Sequence, residues 1–317
     1  MIKWVLKKIL KIALRVLIAL LALVIVAIGV LNLLKFAIYK DYYQVRDNLC
    51  KNPGLGDGFV CQGICAYEDG GKIFVSGYMK DGSASRIYVT DLDDNSYYVS
   101  LAKEGENFTG HAGGIAWSGD TVYIASDGAI HLVSLQSVLN AAEGDTVEIY
   151  DEVAVSNKAS SLYCDGTYLY VGEFHDGGKY IANHPYETAD GTYHAIISCY
   201  ALSDLSAPER IYSIRDKVQG ICFTPNGKVV LSTSYGLSSS YYYIYNLSEA
   251  TLSGVAFDGA PVYYLDHCVS EIKGPAMAEG LDYYDGKIIT LTESASNKYI
   301  FGKLFFANKI VALDIVD

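Results

Sequence analysis

Five stretches of this 317-residue chain align with one another, and that self-similarity constrains the fold more than any other feature. They are "CQGICAYEDGGKIFVSG" from Cys61, "AGGIAWSGDTVYIAS" from Ala112, "ASSLYCDGTYLYVGE" from Ala159, "VQGICFTPNGKVVLSTS" from Val218 and "AEGLDYYDGKIITLTES" from Ala278. Each holds a small or polar pair, an aliphatic anchor, a short apolar run, a tight turn and a second apolar run. The anchors are Ile64, Ile115, Leu162, Ile221 and Leu281, spaced by 51, 47, 59 and 60 residues. The turns carry Asp69-Gly70, Gly119-Asp120, Asp165-Gly166, Asn226-Gly227 and Asp285-Gly286. Such pairs between apolar runs mark hairpins, because both residues tolerate positive φ.

A third strand follows every hairpin, beginning at Arg86, Ala129, Ala195, Tyr242 and Lys309. A fourth follows in four cases, at Tyr97, Val147, Arg210 and Val262. Four strands per roughly 50 residues is the period of a propeller blade. The expected fold is all-β, a five-bladed β-propeller. A sixth blade hidden in a long insertion is the alternative count. The last repeat has only three strands, so a strand from residues 41–60 is expected to complete it, with "YYQV" at Tyr42–Val45 the segment proposed for closure.

Val16–Leu34 is a run of 19 residues without charge. At ~1.5 Å per residue it nearly spans a hydrocarbon core of about 30 Å. Five bases precede it, which directs the N-terminus to the cytoplasm and the rest outward. The expected organisation is a cytoplasmic tip and transmembrane anchor over 1–40, and an extracytoplasmic β-propeller domain over 41–317. The chain is then a single-pass cell-membrane protein. A cleaved signal peptide, with Ala27–Gly29 as the processing site, is the rival reading.

Charge follows the same division. Residues 1–40 hold seven of the 24 bases and none of the 36 acids, leaving 17 bases against 36 acids in residues 41–317. So acidic a domain repels phosphate backbones, and nucleic acid is excluded as the expected partner.

In a ring of repeats, residues just ahead of each anchor line one mouth of a central channel. Two positions ahead stand Gln62, Gly113, Ser160, Gln219 and Glu279, and four positions ahead stand His111, Lys158 and Lys217. His111 is the candidate general base and Glu279 or Glu293 its candidate acidic partner across the channel, with Glu293 placed at the rim of the same mouth. Gln62, Ser160, Gln219 and Glu293 are candidate ligand contacts. Tyr235, in the loop "SYGLSSSYYY", joins them, because variable Tyr-rich loops on a rigid ring suit sugars and peptides. The competing reading is that these polar groups bond only channel water and backbone. His175, His184 and His194 are spaced by nine and ten residues, which fits no compact metal motif, and a mobile surface loop is expected there.

The pieces "CQGIC" at Cys61, "HAGGIA" at His111, "QGICF" at Gln219, "AEGLDY" at Ala278 and "TES" at Thr292 resemble bacterial propellers of the lactonase-like and quinoprotein-like kind. They are similar in particular to membrane-anchored or secreted propellers of Gram-positive bacteria, over residues 55–317. The resemblance implies a fold rather than an activity. Through it, Glu279 with Gly280 looks like the acidic ligand of a lactonase-like metal site, which would hold a divalent cation such as calcium. Gln62, Gly113, Ser160 and Gln219 are poor companions for a cation that takes six or more oxygens.

No nucleophile elbow, P-loop, HExxH or dinucleotide fingerprint occurs. Among the seven cysteines, Cys50 and Cys61 are the expected disulfide, while Cys65 and Cys222 hold equivalent places and read as buried core. Two functions are expected. The first is a membrane-tethered module binding an extracellular protein, peptide or glycan. The alternative is a hydrolase or lyase in the channel, using His111 and Glu279, with or without a metal.

Overall fold

Every Asx-Gly or Gly-Asp signal lies between two antiparallel strands. Only Asp285 (φ 48°) and Gly286 (φ 79°) are both left-handed, as a two-residue type I′ turn requires. Gly119, Gly166 and Gly227 carry the positive φ alone, and in the first repeat it moves to Gly71, after a 3₁₀ turn at Glu68–Gly70. The computed structural model describes residues 2–316.

The chain starts with the helix α1 (Ile2–Ile38), a short α2 (Lys40–Gln44) and β1 (Arg46–Lys51). A first group holds β2 (Phe59–Tyr67), β3 (Lys72–Met79), β4 (Arg86–Asp91) and β5 (Ser96–Lys103), with β6 (Glu106–Asn107) folded back on β5. A second holds β7 (Gly114–Ser118), β8 (Thr121–Ser126), β9 (Ala129–Ser134) and, after α3 (Leu135–Leu139), β10 (Thr146–Ala154). The third holds β11 (Ser161–Cys164), β12 (Tyr168–Gly172), the hairpin β13 (Tyr186–Thr188) and β14 (Gly191–Tyr193), then β15 (Ala195–Ala201) and β16 (Arg210–Ile214). The fourth holds β17 (Val218–Phe223), β18 (Lys228–Thr233), β19 (Ser240–Asn246), a hairpin of β20 (Thr251–Phe257) and β21 (Ala260–Tyr264), and β22 (Cys268–Gly274). The last holds β23 (Ala278–Tyr284), β24 (Lys287–Thr292) and β25 (Lys309–Leu313), and β1 completes it against β25.

The innermost strands meet in a circuit. β2 lies against β7 and β23, β11 against β7 and β17, and β17 against β23. The apolar clusters straddle neighbouring groups: Ile64, Ile73 and Val75 pack with Ile289, Leu291 and Ile310, and Phe74 and Val89 with Ile115 and Ile124. No group buries its faces alone, which is the logic of a repeat fold. Inner strands are therefore apolar almost throughout, and β2 is buried at eight of nine positions.

Glycine permits the inner strands to approach. A Cβ on Gly280 would stand 2.9 Å from Gln62 O and from Ile64 N, and one on Gly220 would stand 2.7 Å from Glu279 O and from Leu281 N. The same holds for Gly63 against Ile115 N (2.6 Å) and Gly114 against Leu162 N (2.3 Å).

Three expectations need correction. Tyr42–Gln44 is helical, and the closing strand is Arg46–Lys51, one step later. The reason is Tyr42, which is buried and stacked on Tyr242 at 6.0 Å, on the face of the fourth group. In the fourth group, Val262–Tyr264 is not the outer strand. β22 pairs with β19, and β21 leaves to pair in parallel with β16 of the third group. The polar β22, "CVSEIKG", is half exposed, so hydrophobicity pointed to the wrong segment. Finally, all seven cysteines are unbridged: Cys61 is buried and its sulfur takes a bond from Asn52 Nδ2 at 3.2 Å. Cys65 and Cys222 are buried, as read.

α1 is exposed along its apolar length and is the one helix, among the described residues, long and apolar enough to cross a membrane. Its C-terminal end is tied to the 3₁₀ turn Phe301–Phe305. Asn32 Nδ2 donates to Lys303 O (3.2 Å), and Lys35 Nζ to Phe306 O (2.6 Å).

The Gly280→Ala change is expected to cost about 2–3 kcal/mol, because backbone rather than a flexible side chain meets the new methyl. Gly56→Ala, with nothing within 4 Å, is expected to be nearly neutral. Urea unfolding of both variants checks the contrast.

Candidate functional site

Gln62, His111, Ser160, Gln219, Tyr235, Glu279 and Glu293 all line one cavity of about 630 Å³. Two backbone devices bring them there. The pairing register of the inner strands slips between Cys61 and Gly63, between Val218 and Gly220, and between Ala278 and Leu281. Gln62, Gln219 and Glu279 are therefore bulge residues, which a bulge turns out of the ladder. Just before four inner strands the chain also passes through the left-handed region, at Ala112 (φ 49°), Ala159 (φ 34°), Lys217 (φ 66°) and Met277 (φ 67°). Left-handed backbone costs a non-glycine residue about 1–2 kcal/mol, and such strain collects at functional sites.

A hydrogen-bonded row crosses the cavity wall. His111 Nε2 stands 2.7 Å from Gln62 Oε1, and Gln62 Nε2 donates to Glu293 Oε2 (3.1 Å) and to Cys61 O (2.8 Å). An amide oxygen only accepts, so His111 carries its proton on Nε2 and leaves Nδ1 with a lone pair when neutral. The ring packs on Tyr78 at 4.6 Å. Lys298 lies over the rings of Tyr78 (4.4 Å) and Tyr299 (5.2 Å).

Burial sets the charges. Glu279 is 2% exposed, and its carboxyl has no hydrogen-bond partner among the described residues. Desolvation, and then the neighbouring Glu293, holds its pKa well above the usual carboxyl range. Desolvation also pushes Glu293 up to about 7, against the pull of the Tyr299 hydroxyl, Lys298 and the Gln62 amide. The pair thus retains a proton at neutral pH, as two adjacent buried carboxyls must. His111 opens on the cavity but has protein around it, and that desolvation lowers its pKa. Asp127 opposes the shift, while Lys298 and Lys179 add to it.

The arrangement differs from expectation at several points. Glu293 is buried, 8% exposed, rather than set at a rim. Neither acid orients His111, because Gln62 stands between His111 and Glu293. Lys158 lines the cavity, whereas Lys217 lies outside it, over the Tyr235 ring at 5.4 Å. The set is poor for a calcium cage: Gln62 commits its oxygen to His111 and its nitrogen to Glu293, leaving at most one amide lone pair for a cation. Sequence reasoning missed Tyr78, Asp127, Lys179, Lys298 and Tyr299 as lining residues. Tyr78 is near the end of β3, while Asp127, Lys179, Lys298 and Tyr299 follow the second strands β8, β12 and β24, segments whose sequence varies between repeats and so names no position. The histidines do not form a loose loop. His175 is 6% exposed, and its ring stacks on that of His194 at 4.5 Å.

No protein-family model and no curated protein matches the sequence. Solved β-propeller proteins are similar in structure at low identity. Myxococcus xanthus glutaminyl cyclase is 14% identical, covering 86% of this chain and 97% of its own, with a TM-score of 0.46. The PQQ-bound aldose sugar dehydrogenase of Streptomyces coelicolor is 13% identical, covering 78% and 76%, with a TM-score of 0.41. Kuenenia stuttgartiensis hydrazine synthase is 12% identical with a TM-score of 0.38; 74% of this chain is covered, but it spans only 56% of that one.

Raised carboxyl pKa values have a stability signature. A folded state that holds protons more tightly than the unfolded chain loses stability as pH rises from about 4.3, the unfolded value, through about 7. Asp282, on the far side of the anchors, is also raised to about 7 by burial and adds to the same slope. Glu279→Gln is expected to stabilise the fold at pH 8 and to change it little at pH 5, because the cost of ionising the buried pair is felt only as pH rises. Thermal unfolding across that range checks it.

Proposed function

We propose that this chain is a membrane-tethered, five-bladed β-propeller, facing outward from the cell, whose central cavity binds a peptide or similar polar ligand. The five-strand inner circuit supports the blade count. The apolar α1 and its basic N-terminal flank support the anchor and its orientation. The turn docked on α1 also exposes Ile300 and Phe301 (80% and 69%), apolar surface suited to a bilayer interface.

The observation that carries the binding role is the Glu279 carboxyl, which lines the cavity and bonds no side chain or backbone group among the described residues. Its acceptor and donor capacity is therefore open to whatever enters the cavity. Lys158, Lys179 and Lys298 line the same cavity and are exposed, beside the single exposed acid Asp127, so base outweighs acid outside the buried carboxyl pair. A ligand with an amine at one end and a carboxylate at the other matches that polarity, as a short peptide does. Tyr78, Tyr235 and Tyr299 offer apolar faces between.

Acid–base catalysis in the same cavity is the second reading. It is favoured by the His111–Gln62–Glu293 row beside a carboxyl pair holding a proton. Hydrolase or lyase turnover would follow a bell-shaped pH profile and vanish in His111→Ala with binding retained.

Zwitterionic dipeptides are expected to raise the melting temperature of the full-length chain in detergent. Glu279→Gln is expected to weaken their binding roughly tenfold or more, about 1.4 kcal/mol. Equal binding of blocked dipeptides and oligosaccharides, untouched by Glu279→Gln, would refute the reading. For the orientation, protease added to intact cells is expected to digest residues 41–317, and protection until lysis would reverse it.

A further inference from the structure

Three side chains distant in sequence meet outside the central cavity. His175 follows β12, His194 stands between β14 and β15, and Asp216 lies in the turn from β16 to β17. One donor atom from each lies within 4.8 Å of the others. The Asp216 carboxylate stands 3.1 and 3.2 Å from His194 Nδ1 and 3.9 Å from His175 Nε2. We propose that His175, His194 and Asp216 bind one divalent transition-metal ion of the zinc class.

The donor set selects the ion. Two imidazoles and one carboxylate suit zinc or cobalt, whereas calcium and magnesium prefer oxygen alone. The surrounding bonds select the atoms. His175 Nδ1 is taken by the backbone of Ala182, 2.9 Å from its carbonyl oxygen and 3.1 Å from its nitrogen. Nε2 then has no hydrogen bond among the described residues and faces the carboxylate. A ring N–H held by a backbone carbonyl fixes the ring and leaves the other nitrogen for a metal, which is how metal-bound histidines are oriented. Asp216 Oδ1 is held in turn by the His194 backbone N–H at 3.1 Å.

The frame is prepared by main-chain bonds. Lys217 N donates to His175 O (2.8 Å), and His184 N to His194 O (3.2 Å). These tie the three segments together before any ion arrives. Metal–ligand distances of about 2.0–2.2 Å require the donors to draw in by about an ångström. His194 and Asp216, with side chains 34% and 32% exposed, have that freedom, while His175 at 7% is the fixed point. Three protein ligands leave a fourth position to water. The ion would clamp the excursion between β12 and β15 onto the β16–β17 turn, at a place outside the ligand cavity to which that excursion lends Phe174, Lys179 and Tyr180.

The test uses the full-length chain in detergent, stripped with a chelator and then dialysed against micromolar free zinc. Mass spectrometry of bound metal is expected to find one zinc per chain, and cobalt in its place to show the visible bands of a four-coordinate site. His194→Ala and Asp216→Asn, both partly exposed, are expected to keep the circular dichroism of the parent and to bind zinc roughly tenfold or more weakly. Zinc is expected to raise the parent's melting temperature and leave theirs unchanged. Absence of bound zinc in the parent would overturn the assignment. So would parental occupancy in both variants, which would place the ion on other residues.

Discussion

Backbone touching backbone at the centre is the contact on which the rest of this structure depends. Gly63, Gly114, Gly220 and Gly280 each stand so near the neighbouring inner strand that a methyl group would strike its main chain. That approach brings five strand entrances into one small circle. It leaves no room there for ordinary side chains, so the chain passes each entrance through bulges and left-handed residues. Those distortions turn Gln62, Gln219 and Glu279 out of their ladders and into a shared space. The cavity is thus a consequence of how closely the strands converge.

Electrostatics opposes stability at that centre. Two carboxyls of low exposure share one environment, and Glu279 has no partner among the described residues. The repeats surrounding it agree with the fold at every level, from turn residues to anchors. A local violation inside an otherwise consistent scaffold is where function is expected to sit. Strain in the left-handed entrances of β7, β11, β17 and β23 belongs to the same place.

The membrane-apt helix and the ring are one continuous piece of chain. α1 leads through α2 directly into β1, whose pairing with β25 completes the last group. Tyr42 locks the junction by stacking on Tyr242, and Asn32 and Lys35 fasten the helix end to the Phe301–Phe305 turn. The apolar helix and the strand that completes the last group are therefore mechanically joined.

Much was legible in the sequence because it is local or periodic. Hairpin turns, anchors and the positions two and four ahead of them follow from short patterns, and the seven candidate residues proved to share one cavity. The partners they took were not legible. That Gln62 separates His111 from Glu293 depends on a one-residue bulge and on the rotation of neighbouring strands. The choice of β22 over β21 as an outer strand turned on cross-strand pairing that hydrophobicity does not encode, since an outer strand is half exposed. Cys50 and Cys61 are close in sequence, yet Cys61 is turned to Asn52 and Thr292. His175, His194 and Asp216 share no spacing motif, and only the folding of β12, β15 and β16 side by side gathers them. The sequence by itself determined a closed ring of repeats, because periodic apolar runs must bury their faces against neighbours. Tertiary structure alone decided which polar groups meet, because those meetings join residues from separate repeats.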